Sequence, residues 1–254
     1  MFISSEQHLL NCVQFGTGDR AFLAHGGWVG SWELWQEPLQ LMQADWRSVA
    51  YDHRGAGATT ATADEVTPEG LVADLFAVMA HYELDGCVLA GESMGALTCL
   101  QAVLAHPDRF AGLVLVAGAP AMVGEAPNVP AIRAHYPGYV RQFVQDCVPE
   151  PDSEHIRRWG EQILLRADPE AAARMFESHY ERGIAPALAE VAVPTLVIHG
   201  ELDQIIPVGV GEWVASTIPG AELVVIPGAG HIPTMTRPAA VVDAINSWAA
   251  QALP

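Results

Sequence analysis

The stretch that decides the fold of this chain is GESMG at residues 91–95, a G-x-S-x-G pattern. An apolar run, CVLA at residues 87–90, precedes it, and a helix-forming run starts at Ala96. A serine on a sharp strand-to-helix turn adopts a strained backbone, and flanking glycines remove side chains that would collide across that turn. Such a turn exposes the hydroxyl, and the N-terminal end of the following helix favours negative charge on a reacting oxygen. Ser93 is therefore the candidate nucleophile.

Two later segments share one layout, an apolar strand that runs into a loop with a polar side chain. In LVIHGELD, residues 196–203, the loop carries Asp203, and in VVIPGAGH, residues 224–231, it ends on His231. A serine hydroxyl becomes nucleophilic when a neutral imidazole removes its proton, and a carboxylate orients that imidazole. The chain order serine, aspartate, histidine at successive strand ends meets this requirement. We expect His231 to be the catalytic base and Asp203 to be its orienting acid.

Apolar strand-like runs alternate with amphipathic helical runs along most of the chain. This alternation predicts an α/β fold with a mostly parallel, doubly wound sheet and helices on both faces. The strands are expected at residues 8–15, 21–24, 47–51, 87–90, 113–117, 194–199 and 222–226. The helices between and after them are expected at residues 32–43, from 67, from 96, at 211–217 and at 238–250.

The pattern changes between Pro120 and Val193, where prolines recur and helical segments follow one another without a convincing strand. We expect a helical cap, or lid, at residues 121–187, inserted into a core formed by residues 1–120 and 188–254. An insertion that leaves the carboxyl end of a strand lies over the crevice in which open α/β sheets bind ligands. Taken together, the large apolar side chains of the cap indicate an apolar site: Tyr136, Tyr139, Phe143, Trp159, Leu165, Met175, Phe176 and Tyr180.

Charge and composition exclude several classes of function. The chain has 254 residues, of which 30 are acidic and 12 are basic, a formal net charge of −18 and no lysine. Such a charge repels phosphate backbones and anionic lipid surfaces, so neither a nucleic acid nor a membrane is an expected partner. The absence of lysine also excludes a lysine Schiff base. Because half of the residues are hydrophobic and no apolar run could span a bilayer, we expect a globular protein.

The sequence gives no sign of a metal or cofactor site. The four cysteines, at positions 12, 87, 99 and 147, have neither C-x-x-C spacing nor the spacing of a metal finger. No metal or cofactor is therefore expected. The first residues, MFISSEQH, lack the basic start and apolar core of a secretory signal, so a cytoplasmic location is expected. The expected partner is a small-molecule substrate, and a homodimer stays open.

A fourth motif is HGGW at residues 25–28, where a strand ends in a turn of small residues that can aim a backbone N–H at a substrate oxygen. With DHRGAG at residues 52–57 and the GESMG, HGELD and PGAGH segments, it makes the chain resemble the α/β-hydrolase fold superfamily. The resemblance covers nearly the whole chain outside the cap. It implies an oxyanion hole made by the backbone N–H groups of Gly27 and Met94, and it places Trp28 at the substrate pocket.

Within that superfamily the chain looks most like small microbial esterases, lactonases and the cofactor-free haloperoxidases. The resemblance implies a serine hydrolase that cleaves a carboxylic ester or lactone of a small, fairly apolar substrate. One open alternative is a carbon–carbon bond hydrolase of the same fold, for which Asn128 and Arg157 or Arg158 are loosely positioned candidates. The other is a ligand receptor or signalling protein that turns over slowly, since the segment from Asp168 to Glu177 resembles the cap of such relatives.

Overall fold

The computed structural model describes residues 1–121, 123, 127–180 and 183–253, with the side chains of residues 179 and 180 left out. In this part of the chain eight strands form one sheet: β1 (Phe2–Ser5), β2 (His8–Phe15), β3 (Arg20–His25), β4 (Trp46–Tyr51), β5 (Cys87–Glu92), β6 (Phe110–Val116), β7 (Thr195–Gly200) and β8 (Glu222–Ile226). The α-helices are α1 (Gln36–Met42), α2 (Pro68–Tyr82), α3 (Gly95–Ala105), α4 (Val129–Cys147), α5 (Glu154–Leu164), α6 (Pro169–Tyr180), α7 (Val208–Thr217), α8 (Pro233–Thr236) and α9 (Pro238–Ala252).

The strand order across the sheet is β1-β2-β4-β3-β5-β6-β7-β8, and the expected mostly parallel α/β fold is confirmed. The pairs β1 with β2 and β2 with β4 are antiparallel, and the neighbouring pairs from β4 to β8 are parallel. Strand β5 lies near the middle and is buried along its whole length. Its residues alternate between the two hydrophobic layers, with Val88 and Ala90 in one and Leu89 in the other. This double burial explains why the strand reads as a continuous apolar run.

Several elements differ from the sequence-based expectation. Strand β1 was not predicted, because only Ile3 and Ser5 of its four residues are buried and so short a pattern gives little signal. Strand β6 starts three residues earlier than expected and ends at Val116, since Ala117 has a φ of +47° that leaves the extended conformation. The helix expected at residues 32–43 begins as a tighter 3₁₀ turn, Trp32–Trp35, before α1.

Helices α4, α5 and α6 lie between β6 and β7, where the helical cap is expected. Helix α4 begins at Val129, where the side chain of Asn128 caps it, and it is kinked at His135, close to Pro137. The limits of the cap at residues 121 and 187 stay a prediction, because residues 122, 124–126, 181 and 182 lie outside the described residues. None of the helices in the described part of the chain is long and apolar enough to cross a membrane.

A buried ion pair ties the loop after β4 to helix α2 and to the N-terminal strands. Asp74 of α2 accepts two hydrogen bonds of 2.8 Å from the guanidinium of Arg54. The same carboxylate accepts a hydrogen bond from the Ser5 hydroxyl at 2.7 Å, and it lies 3.1 Å from Nε2 of His8. The DHRGAG loop is therefore held in place by the charge pairing of Arg54 with Asp74.

Candidate active site

Ser93 lies on the tight turn between β5 and α3. Its φ of +52° falls in the left-handed region, which is strained for a residue with a side chain. The backbone N–H of Ser93 donates to the carbonyl of Val116, so the neighbouring strand fixes the turn. A Cβ on Gly95 would lie 2.4 Å from the carbonyl oxygen of Gly26, which explains why the second glycine of the pattern is required. The turn presents a half-buried Ser93 at the carboxyl edge of the sheet.

The structure brings together the three side chains expected to form the catalytic centre. Nε2 of His231 lies 2.8 Å from Oγ of Ser93, and Nδ1 of the same imidazole lies 2.8 Å from Oδ2 of Asp203. Both His231 and Asp203 are buried. When Nδ1–H donates to the carboxylate, Nε2 of the neutral imidazole is left to accept the Ser93 hydroxyl proton. The arrangement can therefore transfer a proton from serine to histidine.

Several hydrogen-bond donors surround the carboxylate of Asp203. Its Oδ1 accepts from the backbone N–H groups of Ile205 and Ile206, both at 2.9 Å. Its Oδ2 faces His231, and it also lies 3.2 Å from Nε2 of His199, which is 2.7 Å from the carbonyl oxygen of Ile206. Burial by itself would raise the pKa of Asp203, but the charge of His231 and the hydrogen bonds from both imidazoles and from Ile206 outweigh burial and lower the pKa. Asp203 is therefore ionised at neutral pH.

The two residues expected to form an oxyanion hole lie beside Ser93. A Cβ on Gly27 would lie 2.8 Å from Cβ of Ser93 and 3.0 Å from the carbonyl oxygen of Glu92, so the backbone of Gly27 is in contact with the serine. Met94 follows Ser93 directly, at the start of α3. Backbone N–H groups in these two positions are the kind that stabilise a developing oxyanion in acyl transfer.

Two apolar cavities meet at Ser93. Both are lined by Trp28, Ser93 and Phe143. The first cavity is further lined by His231, Leu34, Val144, Cys147, Leu164 and Ile232. The second is further lined by Met94, Leu97, Ala119, Phe176, Ile205 and Ile206. Ser93 is thus open to an apolar group in either cavity.

Trp28, the residue expected at the substrate pocket, lines both cavities. Its indole ring packs against Phe143, with ring centroids 5.0 Å apart, and against Phe176, with centroids 4.8 Å apart. Tyr136 and Tyr139 of α4 contact the same ring from farther away. These four aromatic side chains of α4 and α6 therefore surround Trp28.

The other apolar cap residues have different positions. Leu165 is exposed, and the indole N–H of Trp159 donates to Glu33. Met175 is buried. The side chain of Tyr180 lies outside the described residues. The expected apolar site therefore involves only part of the predicted group.

Glu92 is a buried carboxyl group in the first cavity that the sequence reasoning did not single out. Its Oε1 accepts a hydrogen bond of 2.5 Å from the hydroxyl of Thr234, and its Oε2 is buried without a hydrogen-bond partner. Burial raises the pKa of Glu92 to about 8, although the hydrogen bond from Thr234 acts in the opposite direction. Glu92 is therefore largely protonated at neutral pH. Its place inside the GESMG motif was the only signal in the sequence.

Cys147 lines the first cavity together with Ser93, but its thiol is fully buried there. Burial raises the pKa of that thiol further above its ordinary value. Because the thiolate is the nucleophilic form of cysteine, Cys147 does not compete with Ser93 as a nucleophile. Among the described residues, no group of three or more histidine, cysteine, aspartate and glutamate side chains is placed to hold a metal ion.

The side chains considered for a carbon–carbon bond hydrolase are used elsewhere in the structure. The amide oxygen of Asn128 accepts from the N–H of Ala131 and caps α4. Arg157 donates to the carbonyl oxygens of Val148 and Glu150. The side chain of Arg158 is exposed and pairs with Glu154. None of these three side chains therefore lies at Ser93, where a carbon–carbon bond hydrolase would need it.

Comparisons with known proteins agree with this fold. Residues 21–244 match the model of a family described as the alpha/beta hydrolase family. The chain is 26% identical over 264 residues to 3-oxoadipate enol-lactonase 2 from Acinetobacter baylyi, covering 96% of this chain and 94% of that protein. It is 23% identical over 255 residues to Karrikin insensitive 2 receptor IA from Petunia hybrida, covering 93% of each. An esterase structure from Exiguobacterium antarcticum superimposes with a TM-score of 0.92 at 19% identity, covering 99% of both chains.

Proposed function

Because the chain belongs to the alpha/beta hydrolase family, we propose that it is a serine hydrolase that cleaves a carboxylic ester or lactone of a small, fairly apolar substrate. The observation that carries the proposal is the hydrogen-bonded series from Ser93 through His231 to Asp203, which lies where two apolar cavities meet. Apolar cavities with a few convergent polar groups are typical of small-molecule sites.

In the proposed reaction, Oγ of Ser93 attacks the carbonyl carbon of the substrate while Nε2 of His231 takes the hydroxyl proton. Asp203 stays ionised and stabilises the imidazolium. The backbone N–H groups of Gly27 and Met94 donate to the oxyanion, and the N-terminal end of α3 adds a favourable dipole. His231 then gives its proton to the leaving alcohol oxygen as the bond to that oxygen breaks, and an acyl group remains on Ser93.

Water completes the cycle by the same route. His231 removes a proton from a water molecule, whose oxygen attacks the acyl carbonyl carbon, and the proton returns to Oγ of Ser93 as the ester bond to the enzyme breaks. With a lactone, the alcohol and the acyl group belong to one molecule, so the product is a single hydroxy acid. None of these steps uses a metal or a cofactor.

The lining of the cavities favours a neutral substrate. The ionisable side chains along the described lining are Glu92, Cys147 and His231, and this lining contains no arginine. A carboxylate on the substrate would therefore lack a cationic partner, and the net charge of −18 repels it at long range. Apolar surface on both sides of Ser93 suits an ester or lactone with hydrocarbon on either side of its carbonyl group.

The helical segment at residues 121–187 is proposed to act as a cap over the core of residues 1–120 and 188–254. The contacts of Phe143 and Phe176 with Trp28 support this role, since they place two cap helices against the cavities. A cytoplasmic location, a homodimer, and the lack of nucleic-acid and membrane partners stay predictions.

The test of the proposed function is turnover of p-nitrophenyl esters of increasing acyl length and of simple lactones. We expect multiple turnovers by the wild type, and a loss of at least a thousandfold in kcat/KM for Ser93→Ala. The matched control is Ser216→Ala, which removes an exposed hydroxyl on α7 and should leave kcat/KM unchanged. Mass spectrometry should find an organophosphonate adduct on Ser93. The proposal would be contradicted if the wild type hydrolysed none of these substrates faster than Ser93→Ala does.

A second candidate is a ligand receptor that turns over slowly, and it is favoured by the similarity to the Petunia hybrida receptor. The two candidates differ in what happens to a bound molecule. An enzyme consumes an ester in excess over the protein, whereas a slow receptor is stabilised by it and releases little product. Thermal unfolding and product release, measured on the same samples at a tenfold excess of ester, separate the two.

A further inference from the structure

The loop that carries His231 is held from the cap side by two neighbouring backbone N–H groups. The N–H of His231 donates to the carbonyl oxygen of Cys147 at 2.9 Å, and the N–H of Gly230 donates to Oε1 of Glu150 at 2.8 Å. Cys147 is the last residue of α4, where helix carbonyls lack partners within the helix. The first cap helix therefore ends in direct hydrogen-bond contact with the histidine loop.

This contact is close enough to require a glycine at position 230. A Cβ on Gly230 would lie 2.4 Å from Cδ of Pro149 and 2.6 Å from the carbonyl oxygen of Cys147. Neither neighbour can move without moving the end of α4. The PGAGH segment thus has its last glycine where the histidine loop and the cap meet.

Glu150 is an unusual residue to find in that contact. It is 1% exposed, and its Oε2 is buried with no hydrogen-bond partner. A buried carboxyl with one unpartnered oxygen costs folding free energy, so packing alone gives no reason for its presence. The guanidinium of Arg157 donates to the backbone carbonyls of Val148 and Glu150, which fixes the segment from which the carboxyl group extends.

On its other side, the histidine loop is bonded to the loop that carries Asp203. The N–H of Leu202 donates to the carbonyl of Ala229 at 2.8 Å, and that of Glu201 donates to Ile226 at 3.1 Å. His231 is thus held between the aspartate loop, which follows strand β7, and the end of helix α4. A shift of α4 acts on the histidine loop through Cys147 and Glu150.

We propose that Glu150 is a positioning residue that couples the first cap helix to His231 and so sets the distance from the imidazole to Ser93. The inference rests on the proposed function of Ser93 and His231. Helix α4 also lines the first cavity through Phe143 and Val144. A substrate group that fills this cavity therefore contacts the same helix that holds His231. A substrate that fits the cavity well should for this reason raise kcat as well as lower KM.

The test compares two substitutions at this position in the full chain. Glu150→Gln keeps an acceptor oxygen of the same reach, and Glu150→Met keeps the length but removes the acceptor. For a p-nitrophenyl ester we expect Glu150→Met to lose about tenfold to a hundredfold in kcat with KM within about twofold of the wild type, because small displacements of a catalytic group have large effects. We expect Glu150→Gln to recover most of that loss.

The matched control is Asn128→Ala, which weakens the same helix at its opposite end by removing its N-terminal cap. It should lower the melting temperature while leaving kcat within about twofold of the wild type. A Glu150→Met variant with wild-type kcat would overturn the proposal. So would a Glu150→Gln variant as impaired as Glu150→Met, because the charge and not the acceptor would then matter.

A second measurement does not depend on turnover. Amide hydrogen exchange of the segment at residues 226–232 should become faster in Glu150→Met, and it should stay at the wild-type rate in Glu150→Gln and Asn128→Ala. If no ester is hydrolysed but exchange follows this pattern, the proposed function fails and the coupling stands. If the wild type hydrolyses esters but exchange in Glu150→Met is unchanged, the proposed function stands and only the proposed coupling fails.

Discussion

The indole Nε1 of Trp28 lies 2.9 Å from the carbonyl oxygen of Ala172, so a side chain next to Gly27 is hydrogen-bonded to helix α6 of the cap. The backbone of Trp28 has a φ of +24°, outside the regions that residues with side chains usually occupy. The hydrogen bond and the surrounding aromatic rings hold the residue in that conformation. The proposed oxyanion loop and the cap are therefore joined through one buried side chain.

Substitution Trp28→Phe removes this hydrogen bond and keeps an aromatic ring in place. We expect the free energy of unfolding to fall by about 1 kcal/mol or somewhat more, as for a buried hydrogen bond. We also expect kcat/KM for a p-nitrophenyl ester to fall about tenfold, because the neighbouring Gly27 is less well fixed. Urea unfolding and steady-state kinetics measure the two effects. The control is Trp213→Phe, whose indole is exposed on α7; an equal loss of activity there would contradict the prediction.

Substitution Gly27→Ala places a methyl group against the nucleophile. The added Cβ would lie 2.8 Å from Cβ of Ser93 and 3.5 Å from its Oγ, where the substrate carbonyl must approach. We expect kcat/KM to fall a hundredfold or more, which is about the effect of losing one oxyanion donor. The control is Gly209→Ala on α7, where the nearest atom to the new methyl lies 4.0 Å away and activity should not change. A Gly27→Ala enzyme with more than a tenth of wild-type activity would place the oxyanion hole elsewhere.

Substitution Glu92→Gln should change how stability depends on pH. Burial raises the folded-state pKa of Glu92 to about 8 from an ordinary 4.5, in spite of the Thr234 hydrogen bond. Between these values the folded protein holds a proton that the unfolded chain has released, so the contribution of Glu92 to the free energy of unfolding falls as pH rises. Glutamine is neutral at every pH. We therefore expect the free energy of unfolding of the variant to rise relative to that of the wild type as pH increases, and to exceed it by about 1 kcal/mol or more at pH 9.

Urea unfolding of both proteins from pH 5 to pH 9 measures the difference, in which the other titrating groups cancel. The control is Glu212→Gln, an exposed glutamate on α7, which should follow the wild type at every pH. A constant difference between Glu92→Gln and the wild type would mean that Glu92 ionises alike in both states.

Substitution Asp74→Ala should make the protein much easier to unfold without altering the catalytic reaction. It leaves the guanidinium of Arg54 buried without its main partner, a loss that typically costs about 3 to 5 kcal/mol. Asp64→Ala also removes a carboxylate paired with an arginine, Arg174, but this carboxylate is exposed and should cost about 0.5 kcal/mol or less. Urea unfolding compares the variants, and kcat per folded molecule should stay near the wild type in both. Similar losses of stability would contradict the assignment of a buried ion pair.

Much of the fold could be predicted from local sequence patterns. The strands that are buried on both faces, such as β5 and β7, appear as continuous apolar runs, and their neighbours along the chain carry helical periodicity. Local patterns are weaker at an edge strand such as β1, where few side chains are buried. They are also ambiguous where a proline lies inside a helix, as in α4, because the same residue can either end a helix or kink it.

The sequence by itself determined which residues are candidates for the chemistry, because Ser93, Asp203 and His231 follow apolar strands and the carboxyl ends of parallel strands meet at one edge of a sheet. Their mutual distances, and the partners Glu92, Glu150 and His199 around them, were decided only by the tertiary structure. The bond between Glu150 and Gly230 joins residues 80 positions apart, and that between His231 and Ser93 joins residues 138 apart. No local pattern encodes such contacts, since they depend on how separate elements pack and on which polar groups that packing buries.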